Sequence, residues 1–166
     1  MGIVRATRYV ASVDCIDVDD LASRGVRCVL VDRDNTLVPR DTKVAPPEVL
    51  EWLQQLREVG ISVCMVSNNF HTKAVEKSAR DLGCAVVHHA MKPAPVAVRK
   101  ALHKMGVPAE RAVLVGDQLL TDIMAGNLAG VKTILVKPQS MVDLWYTQLF
   151  RKVERVFLRG VRFEGE

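Results

Sequence analysis

Two carboxylates one residue apart, Asp32 and Asp34, stand directly after the apolar run Cys28-Val29-Leu30-Val31, and the hydroxyl of Thr36 follows two residues later. At the end of a buried strand, such a pair can present a nucleophile and an acid/base partner to one substrate atom from a rigid support. An acidic turn after a strand is common, and alone it could do no more than cap the next segment. Three later groups change the odds. Ser67, with Asn68 and Asn69, follows the apolar run 61–66; Lys92 follows a short β-rich run at 85–87; Asp117 and Asp122 follow 112–115. Each has a plainer reading by itself: Ser67 as a turn or cap residue, Lys92 as a solvated charge, Gly116-Asp117 as a tight turn, Asp122 as a first-turn charge favoured by a helix dipole. Together they are the parts list of phosphoryl transfer: a nucleophile, a proton donor, positive charge for the transferring oxygens, and carboxylates for a neutralising metal ion.

These groups are useful only if the elements between them bring them to one edge. The pattern predicts strands at 27–31, 61–66, 85–87, 112–115 and 133–136. Helices are predicted over 46–59, 72–82, 95–105 and 121–129, with Gly60, Gly83, Gly106 and Gly130 as their stops. In the first helix Val49, Trp52, Leu53, Leu56 and Val59 share a face. Strands alternating with helix-length segments imply an α/β fold, a three-layer Rossmann-like arrangement with a parallel sheet. Ligands in such sheets bind beyond the carboxyl ends of the strands. A chain of 166 residues suits one domain spanning 1–166. Within it, 1–25 reads as an N-terminal extension of unassigned function, with a short helix at 18–23, and 140–166 as a basic amphipathic C-terminal helix.

Composition excludes several classes. Hydrophobic residues make up 49% of the chain, enough for a core without disulfides. The four cysteines show no paired or zinc-like spacing, and a reducing, cytoplasmic setting fits best. No stretch approaches the roughly 20 apolar residues of a membrane span. The formal net charge of +4 is carried by one segment: between Gln148 and Arg162 lie Arg151, Lys152, Arg155, Arg159 and Arg162 against Glu154 alone. The rest of the chain is neutral in sum, so no nucleic-acid-coating surface is indicated and no nucleic-acid partner is expected. His88-His89 lack a third ligand at useful spacing and suit a structural or rim role, His71 and His103 read as surface residues, and no Gly-rich phosphate loop is present.

The order Asp-x-Asp-x-Thr at 32–36, Ser67, Lys92 and the acidic pair Asp117/Asp122 resembles the four motifs of the haloacid dehalogenase (HAD) phosphatases. More narrowly, Asp-Asn-Thr-Leu-Val at 34–38, Val-Ser-Asn-Asn at 66–69, Lys-Pro at 92–93 and Gly-Asp-Gln-Leu-Leu-Thr-Asp at 116–122 resemble the YqeG family, a subgroup IIIA branch. The likeness runs on through the strand at 133–136 and the basic tail. It implies that Asp32 attacks phosphorus and that Asp34 protonates the leaving oxygen, then activates water. It implies further that Ser67 and Lys92 hold the phosphoryl oxygens, and that Asp32, Asp117 and the main-chain carbonyl of Asp34 hold Mg²⁺. Asn68 would offer an amide to the phosphate, Thr36 would brace the loop, and Asp122 would orient Lys92 or a metal-bound water. Arg33 and Pro39-Arg40 depart from the family pattern; the Arg33 side chain is expected to point away from its neighbouring carboxylates.

Many HAD enzymes carry an inserted cap domain. Here only about 10 residues separate Thr36 from the Pro46-Pro47 helix start, and 25 separate Ser67 from Lys92. No large cap domain fits in either interval, so the site should be open and suited to a phosphate carried on something large, such as a lipid headgroup. The tail points the same way. On a helix over 142–159, Val142, Trp145, Tyr146, Leu149, Phe150, Val153, Val156 and Phe157 fall on one arc of roughly 140°. Arg151, Lys152, Arg155 and Arg159 lie opposite. Two dispositions satisfy the pattern: the apolar arc docks on the protein's own body with the cations solvated, or it makes peripheral contact with an anionic membrane. The family's mitochondrial relatives look like phosphatidylglycerophosphate phosphatases, which makes that lipid the implied substrate. A soluble sugar phosphate or nucleotide is the competing substrate class. A phospho-receiver is disfavoured because Lys92 precedes Asp117 and an acid stands two residues after the nucleophile, and a silent scaffold because the motif set is complete.

Overall fold

The computed structural model describes residues 2–166. Its centre follows from four-residue runs such as Cys-Val-Leu-Val, apolar at every position and therefore fit for a strand covered on both faces. The strands are β1 (Arg8–Val10), β2 (Cys28–Val31), β3 (Ser62–Val66), β4 (Ala85–Val87), β5 (Ala112–Gly116) and β6 (Lys132–Val136). They make one sheet in the order β1-β6-β5-β2-β3-β4, and every adjacent pair is parallel. The helices are α1 (Val18–Ser23), α2 (Pro47–Glu58), α3 (Thr72–Leu82), α4 (Val96–Met105), α5 (Met124–Leu128) and α6 (Trp145–Phe157).

Strand side chains alternate between two cores. Val29, Val31, Val63, Met65, Val113 and Val115 pack with Trp52, Leu53 and Leu56 of α2, and with α1 and α3. Cys28, Leu30, Cys64, Val66 and Leu114 pack with Val98, Ala101 and Leu102 of α4 and with Ala125 of α5. Trp52 also donates its ring N–H to the carbonyl of Ile16 at 3.1 Å, tying the N-terminal stretch to α2. α3 and α4 end at Gly83 and Gly106, both with positive φ, as the spacing predicts. No additional domain occupies either interval where a cap could sit: α3 and β4 account for most of 67–92. No helix among the described residues is long and apolar enough to cross a membrane.

The secondary structure and its packing depart from expectation in four places. Residues 8–10, read as part of an extension, form the edge strand β1 against β6; three residues of scattered polarity carry no legible period, and pairing with an existing strand decides them. Val59, expected on the buried face of α2, is its C-cap and is exposed. The helix expected over 121–129 begins with a wide π-helical turn, Leu119–Ile123, and only Met124–Leu128 is α-helical. Finally, α6 does not dock through its apolar arc. Its buried residues are Thr147 and Glu154, while Trp145 and Val156 are 78% and 74% exposed.

Candidate active site

β2 lies between β5 and β3, with Val31 level with both Val115 and Met65. The residues that follow these strands therefore leave the sheet side by side. Asp32 keeps the ladder for one more step, its N–H donating to the carbonyl of Val115 at 3.0 Å. Beyond it the chain turns through Asn35, which sits at φ 60, a conformation Asn tolerates better than most residues.

Lys92 is the centre of the arrangement. Its ammonium group donates to Asp32 Oδ1 at 2.9 Å, Asp122 Oδ1 at 2.6 Å and the carbonyl of Val66 at 2.8 Å. Its side chain is 2% exposed. Burial works against this charge, but Asp122 and Asp32 hold its pKa above the ordinary lysine value. The carboxylates feel the reverse. Burial and then the charge of Asp122 push Asp32 well above the carboxylate range despite Lys92. Burial lifts Asp117 to about 6 although Arg151 opposes the shift. Carboxylate oxygens of Asp32, Asp117 and Asp122 lie within 4.8 Å of one another. Three buried carboxylates crowd together beside two cations, Lys92 and Arg151, and a divalent ion would offset the mutual repulsion that, after burial, raises Asp32 and Asp117. All their donor atoms are hard oxygens, the set a magnesium-like ion prefers. These residues fit a divalent cation.

Gly116 makes the close packing feasible. A Cβ there would stand 2.4 Å from Cβ, Cγ and Oδ2 of Asp122. The wide turn after β5 swings Asp122 back over this glycine, where Oδ2 also accepts from the N–H of Gln118 at 3.1 Å. Gly116→Ala should therefore displace Asp122 from Lys92 and destabilise the fold by at least about 1–3 kcal/mol. A denaturant midpoint equal to the parent's would contradict this packing.

Other expected site residues are placed as follows. Thr36 is buried and donates to Asp117 Oδ1 at 3.1 Å, bracing the neighbouring loop rather than only its own. Ser67 is fully buried, and its Oγ accepts from the N–H of Asn69 at 3.1 Å. Asn68 lines the cleft, and its amide also locks the Lys92 loop: it donates to the carbonyl of Lys92 at 3.1 Å and accepts from the Lys92 N–H at 2.8 Å. Arg33 corrects the sequence reading. It is buried, with Nη1 2.6 Å from Asp34 Oδ1 and Nε donating to Ser78 Oγ at 2.9 Å. The strand ends at Val31, so alternation no longer governs its direction, and a buried guanidinium must find a carboxylate. Asp34 is held on its other oxygen by Asn69 Nδ2 at 3.1 Å. His88 pairs with Glu76 at 3.3 Å and His89 contacts Thr72 at 3.1 Å; neither belongs to the acidic cluster. Burial pushes the thiols of Cys64 and Cys84 up to about 12 and about 11, so neither is primed as a nucleophile.

Sequence reasoning missed the C-terminal segment's part in the site. The Asn35 amide donates to the carbonyl of Val142 at 2.9 Å and to Asp143 Oδ1 at 3.2 Å, and its oxygen accepts from Ser140 Oγ at 2.7 Å. From there α6 brings Arg151 onto Asp117, where its guanidinium meets both the carboxylate and the main-chain carbonyl. Arg151 also reaches Asp143 at 3.1 Å and Glu154 at 3.4 Å. Glu154 accepts from the N–H of Leu120 at 3.2 Å, and burial lifts its pKa to about 7. The available signal was that Thr147, Arg151 and Glu154 fall on one stripe, with Glu154 the sole acid between Leu144 and Phe163. The resulting cleft, of about 680 Å³, runs from Asp32, Asp34 and Lys92 outward between Arg40 and Lys43 and the apolar residues Phe70, Val142, Leu144 and Tyr146. The site lacks a cap, as expected, but the tail gives it a wall.

Raised carboxylates set the sign of a pH effect. Groups that hold protons more tightly folded than unfolded stabilise the fold at low pH, and that contribution is lost as pH rises. For Asp117 and Glu154 the window runs from the ordinary carboxylate range, about 4, up to about 6 and about 7. With a chelator present, Tm should fall across this window. A divalent ion held there would compete with protons for the carboxylates, so added Mg²⁺ should raise Tm more at pH 7.5 than at pH 5. Equal shifts at both values would count against the acidic cluster as the ion's site.

Residues 16–130 match the haloacid dehalogenase-like hydrolase family. The chain is 37% identical over 157 residues to the probable phosphatase YqeG of Bacillus subtilis, covering 95% of this chain and 91% of that protein. It is 28% identical to the chloroplastic/mitochondrial phosphatidylglycerophosphate phosphatase 1 of Arabidopsis thaliana, over 86% of this chain but only 43% of the longer plant protein. Among solved structures, the cobalt-bound deoxy-D-mannose-octulosonate 8-phosphate phosphatase of Haemophilus influenzae superposes with a TM-score of 0.55 at 15% identity. That match covers 82% of this chain and 89% of the other, and shows likeness of fold.

Proposed function

This chain belongs to the haloacid dehalogenase-like hydrolases and is a phosphatase of that type, and from this premise we propose that it uses Mg²⁺ and an aspartyl-phosphate on Asp32 to hydrolyse a phosphate monoester on a lipid headgroup. The observation that carries the chemistry is the convergence of Asp32, Lys92, Asp117 and Asp122 at the carboxyl edge of the sheet. In the first half-reaction Asp32 attacks phosphorus, the bond to the leaving oxygen breaks, and Asp34 gives that oxygen its proton. In the second, Asp34 takes a proton from water, whose oxygen attacks phosphorus and releases inorganic phosphate and the free Asp32 carboxylate. Lys92 and the Ser67 hydroxyl hold the phosphoryl oxygens. Asp32, Asp117 and the main-chain carbonyl of Asp34 would hold the ion, with Asp122 close by, and its charge would neutralise the phosphoryl group under attack.

The substrate reading is supported by the character of the cleft. Arg40 approaches Asp34 at 3.8 Å and Asp143 at 3.9 Å, and its buried Nε has no hydrogen-bond partner among the described residues. With Lys43, which also lines the cleft, it suits a second anionic group beyond the ester being cleaved. Val142, Leu144 and Tyr146 in the same lining suit an apolar neighbour. A phosphatidylglycerophosphate headgroup, with its terminal monoester and internal phosphodiester, has this distribution, and the Arabidopsis relative bears that substrate in its name. A soluble ester is the second reading, because a cleft of about 680 Å³ can enclose a small metabolite. The test is a screen of phosphate release from phosphatidylglycerophosphate in mixed micelles, sugar phosphates and nucleotides, with Mg²⁺ or a chelator. Preference for the lipid by kcat/KM, abolished by chelation, is the expected result. A soluble ester favoured over the lipid would refute the headgroup reading, and hydrolysis unaffected by chelation the metal.

A further inference from the structure

Most surface helices are held in place by burying their apolar face. α6 inverts this. Thr147 and Glu154 are its buried residues, and Glu154 and Arg151 fasten it to the site by polar contacts. At about 100° per residue, the centre of the apolar arc is turned roughly 140° away from that fastened face. Trp145, Leu149, Val153, Val156 and Phe157 are all exposed there.

We infer that the outer face of α6 is a docking surface for an anionic lipid bilayer. A contiguous apolar patch on a protein surface marks an interaction site, and the surrounding charge selects this occupant. Lys152 and Arg159 are exposed beside one margin of the arc, with Arg155 exposed farther round the same side, and none forms an ion pair among the described residues. From that side their aliphatic stems can lie along apolar surface while the charges reach lipid phosphates. Trp145 and Tyr146, stacked edge-on at 5.8 Å, are of the type that settles at a membrane interface. A second copy of the chain is a poorer occupant. Glu154 is the sole acid between Leu144 and Phe163, and it faces the body, so paired α6 faces would set cation against cation. The segment preceding and opening α6 also lines the cleft through Val142, Leu144 and Tyr146. Docking would thus bring the mouth of the site to the bilayer; that consequence rests on the function proposed for the cleft, whereas the surface itself does not.

The test uses the full chain and vesicle co-sedimentation. Vesicles of phosphatidylglycerol mixed with phosphatidylcholine should bind it at least about tenfold more tightly than phosphatidylcholine alone, with the preference narrowed by salt. The triple variant Leu149→Gln/Val153→Gln/Val156→Gln should lose about tenfold or more in vesicle affinity. These residues are exposed and lie outside the cleft, so its Tm and its hydrolysis of a soluble aryl phosphate should match the parent. Lys152→Gln/Arg155→Gln/Arg159→Gln should abolish the preference for anionic lipid. Asp32→Asn should bind vesicles like the parent while losing hydrolysis, which separates docking from chemistry: a parent that hydrolyses the aryl phosphate but ignores anionic vesicles refutes the surface alone, and a parent that binds the vesicles but hydrolyses no phosphate ester refutes the catalytic reading alone. The inference is overturned if the parent ignores anionic vesicles, if the apolar triple variant binds them equally well, or if sedimentation equilibrium reveals a dimer that this variant dissolves.

Discussion

Asp32→Asn should lower turnover by about 10⁴-fold or more, the scale seen when a covalent nucleophile is removed, and should leave no acid-stable phosphoenzyme in a rapid quench. This loss should come without unfolding. Asp32 is buried beside Asp122 and pushed well above the carboxylate range, so a neutral amide relieves repulsion while Lys92 keeps its bond to Asp122. Tm at pH 7.5 should be equal to the parent's or higher. Asp34→Asn should behave differently. Its carboxylate is tied to Arg33 and Asn69 rather than to the lysine. Losing the acid/base should slow release of the phosphoenzyme by about 10²–10⁴-fold, so that the intermediate accumulates. An Asp32→Asn protein that turns over a generic phosphate ester at the parental rate would end the proposed mechanism.

Lys92→Met should be the most destabilising single change in the site. The substitution keeps most of the volume and removes the charge, leaving Asp32 and Asp122 buried without their shared cation. Breaking a buried ion pair in this way costs about 3–5 kcal/mol. The penalty attaches to the ionised carboxylates, and Asp32 loses the cation that opposes its upward shift once the lysine is gone. It should be full at pH 7.5 and shrink as pH falls and those groups take up protons. A cavity or steric effect would lack that dependence. The double variant Lys92→Met/Asp122→Asn should recover part of the loss, since one uncompensated charge is removed with its partner. If urea denaturation places Lys92→Met within about 1 kcal/mol of the parent at pH 7.5, the ammonium group is not the keystone of this cluster.

Much of this site was legible in the chain because its groups sit just past strand ends. Asp32, Ser67 and Asp117 each follow an apolar run, and alternation with helices forces parallel pairing; those facts already put the three residues on one edge. Lys92 was harder, since four residues separate it from β4, and Asn68 holds its loop in place by two hydrogen bonds. The same reasoning failed for β1, which is too short to show a period, and for Arg33, whose direction is set after the strand has ended. It failed also for α6. The wheel identified an apolar and a cationic side and left the apolar one to meet the body or a membrane; the stripe of Thr147, Arg151 and Glu154 meets the body instead.

The chain alone, then, specified the α/β alternation, the sheet edge and the succession of acid, hydroxyl, cation and acid, because these depend on local periodicity and short-range order. Only the folded structure decided which polar groups become partners: Thr36 with Asp117, Asn69 with Asp34, Arg151 with Asp117, Asn35 with the tail. Such pairs join residues between 34 and 107 positions apart. They form where burial leaves a charge or amide no water to turn to, and no repeating pattern along the sequence records that.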